Sequence, residues 1–197
     1  MTRILLLSIL IFAQANTFAQ KNLTVHFLYG SVPASAYKEV EKKRFGGKKG
    51  GHVTIQIGDS LISFQPGGNC HMIAAGNKNG YFKILNAENW RRDTAGNKYT
   101  SIIIPVNDSQ YAAMHALAKQ YVRQCPYDYA FLGMRCAAAS YNLLGETGLV
   151  PAKSKTATWS QYFYPQLLRR KLLKLAEKNN YTVVRHPGSQ RRIWEKE

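Results

Sequence analysis

Two short stretches of this chain hold residue types able to do nucleophilic chemistry. The first is Gly50-Gly51-His52-Val53-Thr54-Ile55-Gln56-Ile57, which sets a histidine at the start of a β-branched run behind a glycine loop. The second runs from Pro126 through Tyr127, Asp128 and Tyr129 to Arg135, then opens a small-residue segment at Cys136-Ala137-Ala138-Ala139. A cysteine at a helix N-terminus faces backbone N–H groups that have no partner within the helix. These favour a negative group, lower the thiol pKa and enlarge the thiolate fraction. An imidazole within hydrogen-bond reach takes the thiol proton and later returns it to a leaving amine. A strand is a rigid place to hold such a base, and the three alanines after Cys136 let the helix pack closely against it.

The order of these residues carries a resemblance. A His opening a hairpin strand, followed later in the chain by a Cys that opens a helix after a Tyr-Asp-rich segment, resembles the circularly permuted branch of the papain-like, NlpC-type cysteine peptidases and amidases. Ordinary members of that superfamily place Cys before His, and permuted ones reverse the order. The resemblance covers roughly residues 23–150, and its specific part lies in residues 50–66 and 126–144. It implies an α+β, permuted papain-like fold: a small antiparallel sheet packed against helices, with the nucleophile at a helix N-terminus. It also implies Cys136 as nucleophile and His52 as general base. The implied reactions are cleavage of an amide in cell-wall peptides or, as in lipid-acting permuted relatives, acyl transfer or hydrolysis.

Such families orient the His with a polar residue on the next strand, here the run Leu61-Ile62-Ser63-Phe64-Gln65. Aligning from His52 puts Phe64 at that position, and alternation sends Ser63 and Gln65 to the opposite face from Phe64. A slip or bulge near Pro66 would bring in Gln65, or His71 would reach in from the following loop; these are the two candidates for the third group. The oxyanion hole would use the Cys136 backbone N–H and a second donor that the sequence does not name. Tyr127, Asp128 and Tyr129 are the candidate substrate-binding residues. The two tyrosines line a groove or fill core, and Asp128 either accepts a hydrogen bond from Arg135 or serves as a turn residue.

Other residues have plainer readings. Cys136 is either a free nucleophile, a small buried hydrophobe or a disulfide partner. With three cysteines, the preferred arrangement leaves Cys136 free and Cys70 with Cys125 either bonded or both reduced. His26 and His115 read as structural, and Trp159, Tyr162, Phe163 and Tyr164 as core first and groove wall second. Cys70-His71 has no second closely spaced Cys/His pair, so no zinc site is expected. The chain has no glycine-rich phosphate loop, Gly-x-Ser-x-Gly elbow or His-Glu-x-x-His motif. Nucleotide use, serine hydrolysis and helix-borne zinc proteolysis therefore lack support, and no cofactor is expected.

The elements that must position these groups are legible in outline. Strands are expected at Leu23 to Tyr29, Val53 to Ile57, Leu61 to Phe64, Tyr81 to Leu85 and Tyr99 to Val106; the second and third form a hairpin about Gly58-Asp59-Ser60. A short charged helix is expected over Tyr37 to Phe45. A longer one, capped at Asn107 or Asp108, should end near Cys125 and Pro126, and another should run from Cys136 to Leu144. A last helical region spans Thr158 to about Lys178 with an interruption at Pro165, followed by a strand at Tyr181 to Arg185. Strands first and helices later argue for α+β.

Composition sets the outer bounds. The chain has 197 residues, 27 Lys+Arg against 11 Asp+Glu and a formal charge of +16, with 45 % hydrophobic residues. That is one domain's worth of chain with enough apolar residues for a core, which excludes a wholly disordered tail and a disulfide scaffold. Residues 1–19 have the form of a secretory signal peptide: Met1-Thr2-Arg3, an apolar run from Ile4 to Phe12, and a small-residue stretch ending at Ala19, with Ala15 as the alternative cleavage point. Its removal leaves +15. Residues 20–185 form the expected domain, and 186–197 a basic, flexible tail. An exported, periplasmic or secreted protein of this charge meets envelope polymers and lipid headgroups rather than nucleic acid. The competing reading is therefore a non-catalytic basic module. Its contacts with anionic polymer or headgroups would come from residues 38–49, with six Lys/Arg, and 165–197, with nine.

Overall fold

Alternation in Leu23-Thr24-Val25-His26-Phe27 buries one side of a strand completely and most of the other, and the sheet is built outward from it. The computed structural model describes residues 21–42, 47, 50–68, 70–74 and 79–197. The expected signal peptide, residues 43–46 of the expected charged helix and much of the glycine-lysine loop lie outside the described residues. In chain order, β1 (Lys21–Tyr29) and β2 (Ser31–Pro33) precede a single 3₁₀ turn at Ser35–Tyr37. The hairpin β3 (Gly51–Ile57) and β4 (Ser60–Pro66) follows, then β5 (His71–Ile73) and β6 (Gly80–Asn86). Next come α1 (Ala87–Asp93), β7 (Tyr99–Val106), α2 (Asp108–Arg123), β8 (Ala130–Leu132) and α3 (Cys136–Glu146). The chain closes with α4 (Lys155–Gln161), α5 (Pro165–Asn179), β9 (Thr182–His186) and β10 (Arg192–Trp194).

Six strands form one sheet in the order β6-β4-β3-β1-β7-β9, antiparallel throughout. The protein is thus an α+β fold with an antiparallel sheet. Val25, Phe27, Val53, Ile55, Ile62, Phe64, Ile102 and Ile104 belong to the main core, which they share with residues of α2, α3 and α5. Leu28, Leu61 and Tyr99 join Ala87 and Trp90 of α1 in a second, smaller core. Helix boundaries follow local chemistry. Asn107 caps α2 in a capping box with Gln110, and Pro165 takes the first turn of α5, where its missing N–H costs nothing. No helix among the described residues is long and apolar enough to cross a membrane.

The segment expected to be a flexible tail, residues 186–197, is instead packed against the domain. β10 pairs with β2, Arg192 donates to Ser31 and pairs with Glu41, and Tyr29 donates to Glu197 at 2.8 Å. Glu195 is buried and meets Arg169 at 3.2 Å. Arg169, counted among the basic cluster by sequence, is fully buried and stacks on the Tyr29 ring at 3.8 Å. The tail docks because two buried arginines need carboxylates, and two of the acids nearest the C-terminus face Arg169 and Tyr29. Removing one partner of a buried ion pair leaves the other charge desolvated and unmatched. Glu195→Ala should therefore destabilise the protein by about 3 kcal/mol, measured as a lowered urea midpoint. Glu195→Gln, which keeps the acceptor, should lose less.

Candidate active site

Cys136 is the first residue of α3, entered from Arg135 in extended geometry with no side-chain cap. Residues Cys136 to Gly145 are all buried, because α3 lies flat on β3 and β4 and its three alanines keep the helix close. The Cys136 thiol is itself only 3 % exposed. The Val53 and Ala137 amides donate toward its sulfur, and the Arg135 charge and Tyr129 hydroxyl also favour the thiolate. Burial nevertheless pushes the thiol pKa up. This corrects the expectation of a lowered pKa: desolvation of the anion outweighs the helix N-terminus and its neighbours.

His52 follows Gly51, whose φ of +118° is one that side-chain-bearing residues rarely adopt and whose added Cβ would meet the Leu28 carbonyl oxygen at 2.7 Å. The His52 Nε2 lies 2.7 Å from Ser63 Oγ. Burial, with a smaller contribution from Lys83, holds its pKa down at about 4, so the ring is neutral at neutral pH. The residue on the ring is therefore Ser63, not Gln65 or His71. The hairpin explains the difference. Gly58, at φ +57°, turns the chain so that Thr54 pairs with Ser63, which puts Ser63 on the His52 side and Phe64 in the core. No slip or bulge is needed. Gln65 stands one step behind, donating to Ser63 Oγ at 3.3 Å and accepting from Tyr81 at 3.4 Å.

His71 is engaged elsewhere. Its Nδ1 lies 2.7 Å from Asp128 Oδ2, while Asp128 Oδ1 accepts from the Asn79 N–H at 2.7 Å. Asp128 is thus not the partner of Arg135. Tyr127 is core, its hydroxyl donating to Tyr121 and accepting from Asn142. Tyr129 differs from it: partly buried and packed on Phe64 at 5.2 Å, it has its hydroxyl beside both Cys136 and Arg135.

The Val53 amide favours the Cys136 thiolate, so the sulfur lies near β3, on which α3 packs. The β3–β4 pairing reaches only to Thr54↔Ser63 at this end, although both strands continue. The thiol, the residue after His52 and the serine on the His52 ring thus converge where the hairpin opens. Sequence reasoning sent Ser63 to the wrong face because it counted a three-residue turn, Gly58-Asp59-Ser60, where Ile57 pairs with Ser60 across two, and one residue inverts strand parity. It also missed the setting of Arg135, whose guanidinium lies among Phe131, Phe163 and Tyr164. No disulfide joins Cys70, Cys125 or Cys136. Among the described residues no group of three His, Cys, Asp or Glu gathers to hold a metal ion. Comparison with family models, curated proteins and solved structures finds no match to this chain.

Two histidines are held neutral by burial. His26, with Nδ1 at Ser101 and Nε2 at Gln56, also has its pKa lowered to about 4. In the unfolded chain each would take up a proton near pH 6.5, whereas the folded protein binds it only near 4. Stability should therefore be complete above pH 6.5 and fall as the pH drops toward 4, by up to about 1.4 kcal/mol per pH unit for each histidine. Urea midpoints measured across that range should show the decline, and His26→Gln should flatten it.

Proposed function

We propose that the protein is an exported thiol hydrolase of permuted papain-like fold that cleaves an amide bond. Envelope peptides are the favoured substrate, because secretion would deliver the enzyme to them. The observation that carries the reading is the convergence of Cys136, at the start of α3, with the β3 segment of His52 and with Ser63 on the His52 ring. In the proposed reaction the His52 Nε2–H donates to Ser63 Oγ and Nδ1 takes the Cys136 proton as the sulfur attacks the amide carbon. The C–N bond then breaks and the imidazolium protonates the leaving amine. Water, deprotonated by the same ring, attacks the thioester and releases the acid and the free thiol.

The neutral state of both groups fits a general-base route, in which the thiolate forms as attack begins, rather than a standing ion pair. The Cys136 N–H is one oxyanion donor in this reading. The Tyr129 hydroxyl is suited to steady the sulfur, since it already favours the thiolate. Cys136→Ala and His52→Ala should each reduce amide hydrolysis to background. Ser63→Ala should lower kcat about tenfold or more, roughly 1.4 kcal/mol, with KM little changed. Peptide cleavage followed by mass spectrometry checks all three, and hydrolysis that survives Cys136→Ala would overturn the assignment. A non-catalytic basic module would instead retain its salt-sensitive binding to anionic polymer in Cys136→Ala and show no cleavage.

A further inference from the structure

Arg135 stands immediately before the proposed nucleophile, and its surroundings are those of a binding group without its ligand. The guanidinium carbon lies 4.7 Å from the Phe163 ring centre, 5.6 Å from Tyr164 and 5.7 Å from Phe131. The rings are fixed in turn: Phe163 meets Phe131 edge-on at 4.9 Å and Tyr164 edge-on at 4.6 Å. Stacking of this kind satisfies the faces of a guanidinium but leaves its in-plane N–H groups to be matched.

They are matched only in part: the guanidinium hydrogen-bonds the Tyr129 hydroxyl, and no carboxylate among the described residues. Arg135 Nη1 is buried and has no hydrogen-bond partner, and among the described residues no carboxylate forms an ion pair with Arg135. The fully buried Arg169 also has unpartnered nitrogens, but it and Arg192 each face a carboxylate, Glu195 and Glu41, whereas half-buried Arg135 has none. Asp128, the acid nearest in sequence, has its two oxygens on His71 and Asn79. A buried donor left unmatched costs free energy, and a charged one costs more. That cost is recovered when a ligand brings the acceptor. The acceptor a planar fork of N–H donors fits best is a carboxylate. Phe131 is 41 % exposed, so the ring cluster is open to solvent at that ring.

Resting on the hydrolase reading above, we propose that Arg135 is a specificity residue that binds a carboxylate on the substrate within one residue of the scissile amide. The offset follows from the chain itself, because Arg135 and Cys136 are adjacent and the Tyr129 hydroxyl lies beside both. The enzyme then selects acidic peptides, and a neutral isostere leaves the guanidinium unpaired.

The test uses two short peptides, Ala-Glu-Ala-Ala and Ala-Gln-Ala-Ala, each acetylated and amidated so that the Glu carboxylate is the one charge that differs. Mass spectrometry should show the wild-type protein cleaving the Glu peptide at least tenfold faster. Arg135→Met should abolish the preference, and Arg135→Lys, which keeps charge without the fork, should retain part of it. Calorimetric titration of the Cys136→Ala protein should show the same tenfold preference in Kd, lost when Arg135→Met is added. Equal cleavage and equal binding of the two peptides by proteins with Arg135 intact would overturn the proposal while leaving the hydrolase reading standing. A preference that persists in Arg135→Met would also overturn it. Binding that favours Glu through Arg135, with neither peptide cleaved, would uphold carboxylate recognition and count against hydrolysis.

Discussion

The close approach of α3 to the β3–β4 hairpin is the contact on which the site depends. Ala137, Ala138 and Ala139 are completely buried, since α3 is covered by β3 and β4 on one side and by α2, α4 and α5 on others, and small side chains let these elements come close. This proximity brings the first residue of the helix to the amide of Val53, in the notch left where β3 and β4 stop pairing. The notch in turn depends on the turn at Gly58 and Asp59, which sets the register, and on Gly51, which lets β3 enter beneath Leu28. A shift of one residue in either would send His52 and Ser63 to opposite faces.

Burial governs the electrostatics of this region more than local charge does. It raises the Cys136 thiol and lowers His52 despite donors around the sulfur. Both groups are neutral at rest, and a substrate that excludes further water would strengthen every dipole aimed at the sulfur. Arg135 is the cation acting on the thiol, as Lys83 is on the imidazole. The aromatic setting of Arg135 keeps it in place without neutralising it. That combination differs from a surface lysine, whose charge is solvated and screened.

The large positive charge is divided in the same way. Part of it is solvated surface, as on Lys42, Arg170 and Lys174. Part is structural: Arg169 and Arg192 are buried, each faces a carboxylate, and the two anchor the C-terminal segment to β1 and β2. A net charge read from composition mixes these populations, and only the solvated one is available to meet a polyanion.

By itself, the sequence determined the parts that depend on local pattern. The strands at Tyr99–Val106 and Gly51–Ile57, the cap of α2 at Asn107 and the start of α3 at Cys136 all follow from alternation, helical period and capping chemistry within a few residues. A histidine on β3 and a cysteine at the first position of a later helix were legible in the same way. Tertiary structure alone decided the rest. Ser63 rather than Gln65 or His71 meets the imidazole, because hairpin register counts residues across a turn. His71 goes to Asp128, because β5 runs alongside β8 from another part of the chain. The docking of the C-terminal residues and the rings of Phe163 and Tyr164 around Arg135 were not legible because these partners come from distant parts of the chain, 26 positions apart for Arg169 and Glu195 and 161 for Arg192 and Ser31. Local propensity carries no information about contacts that only a folded chain can close.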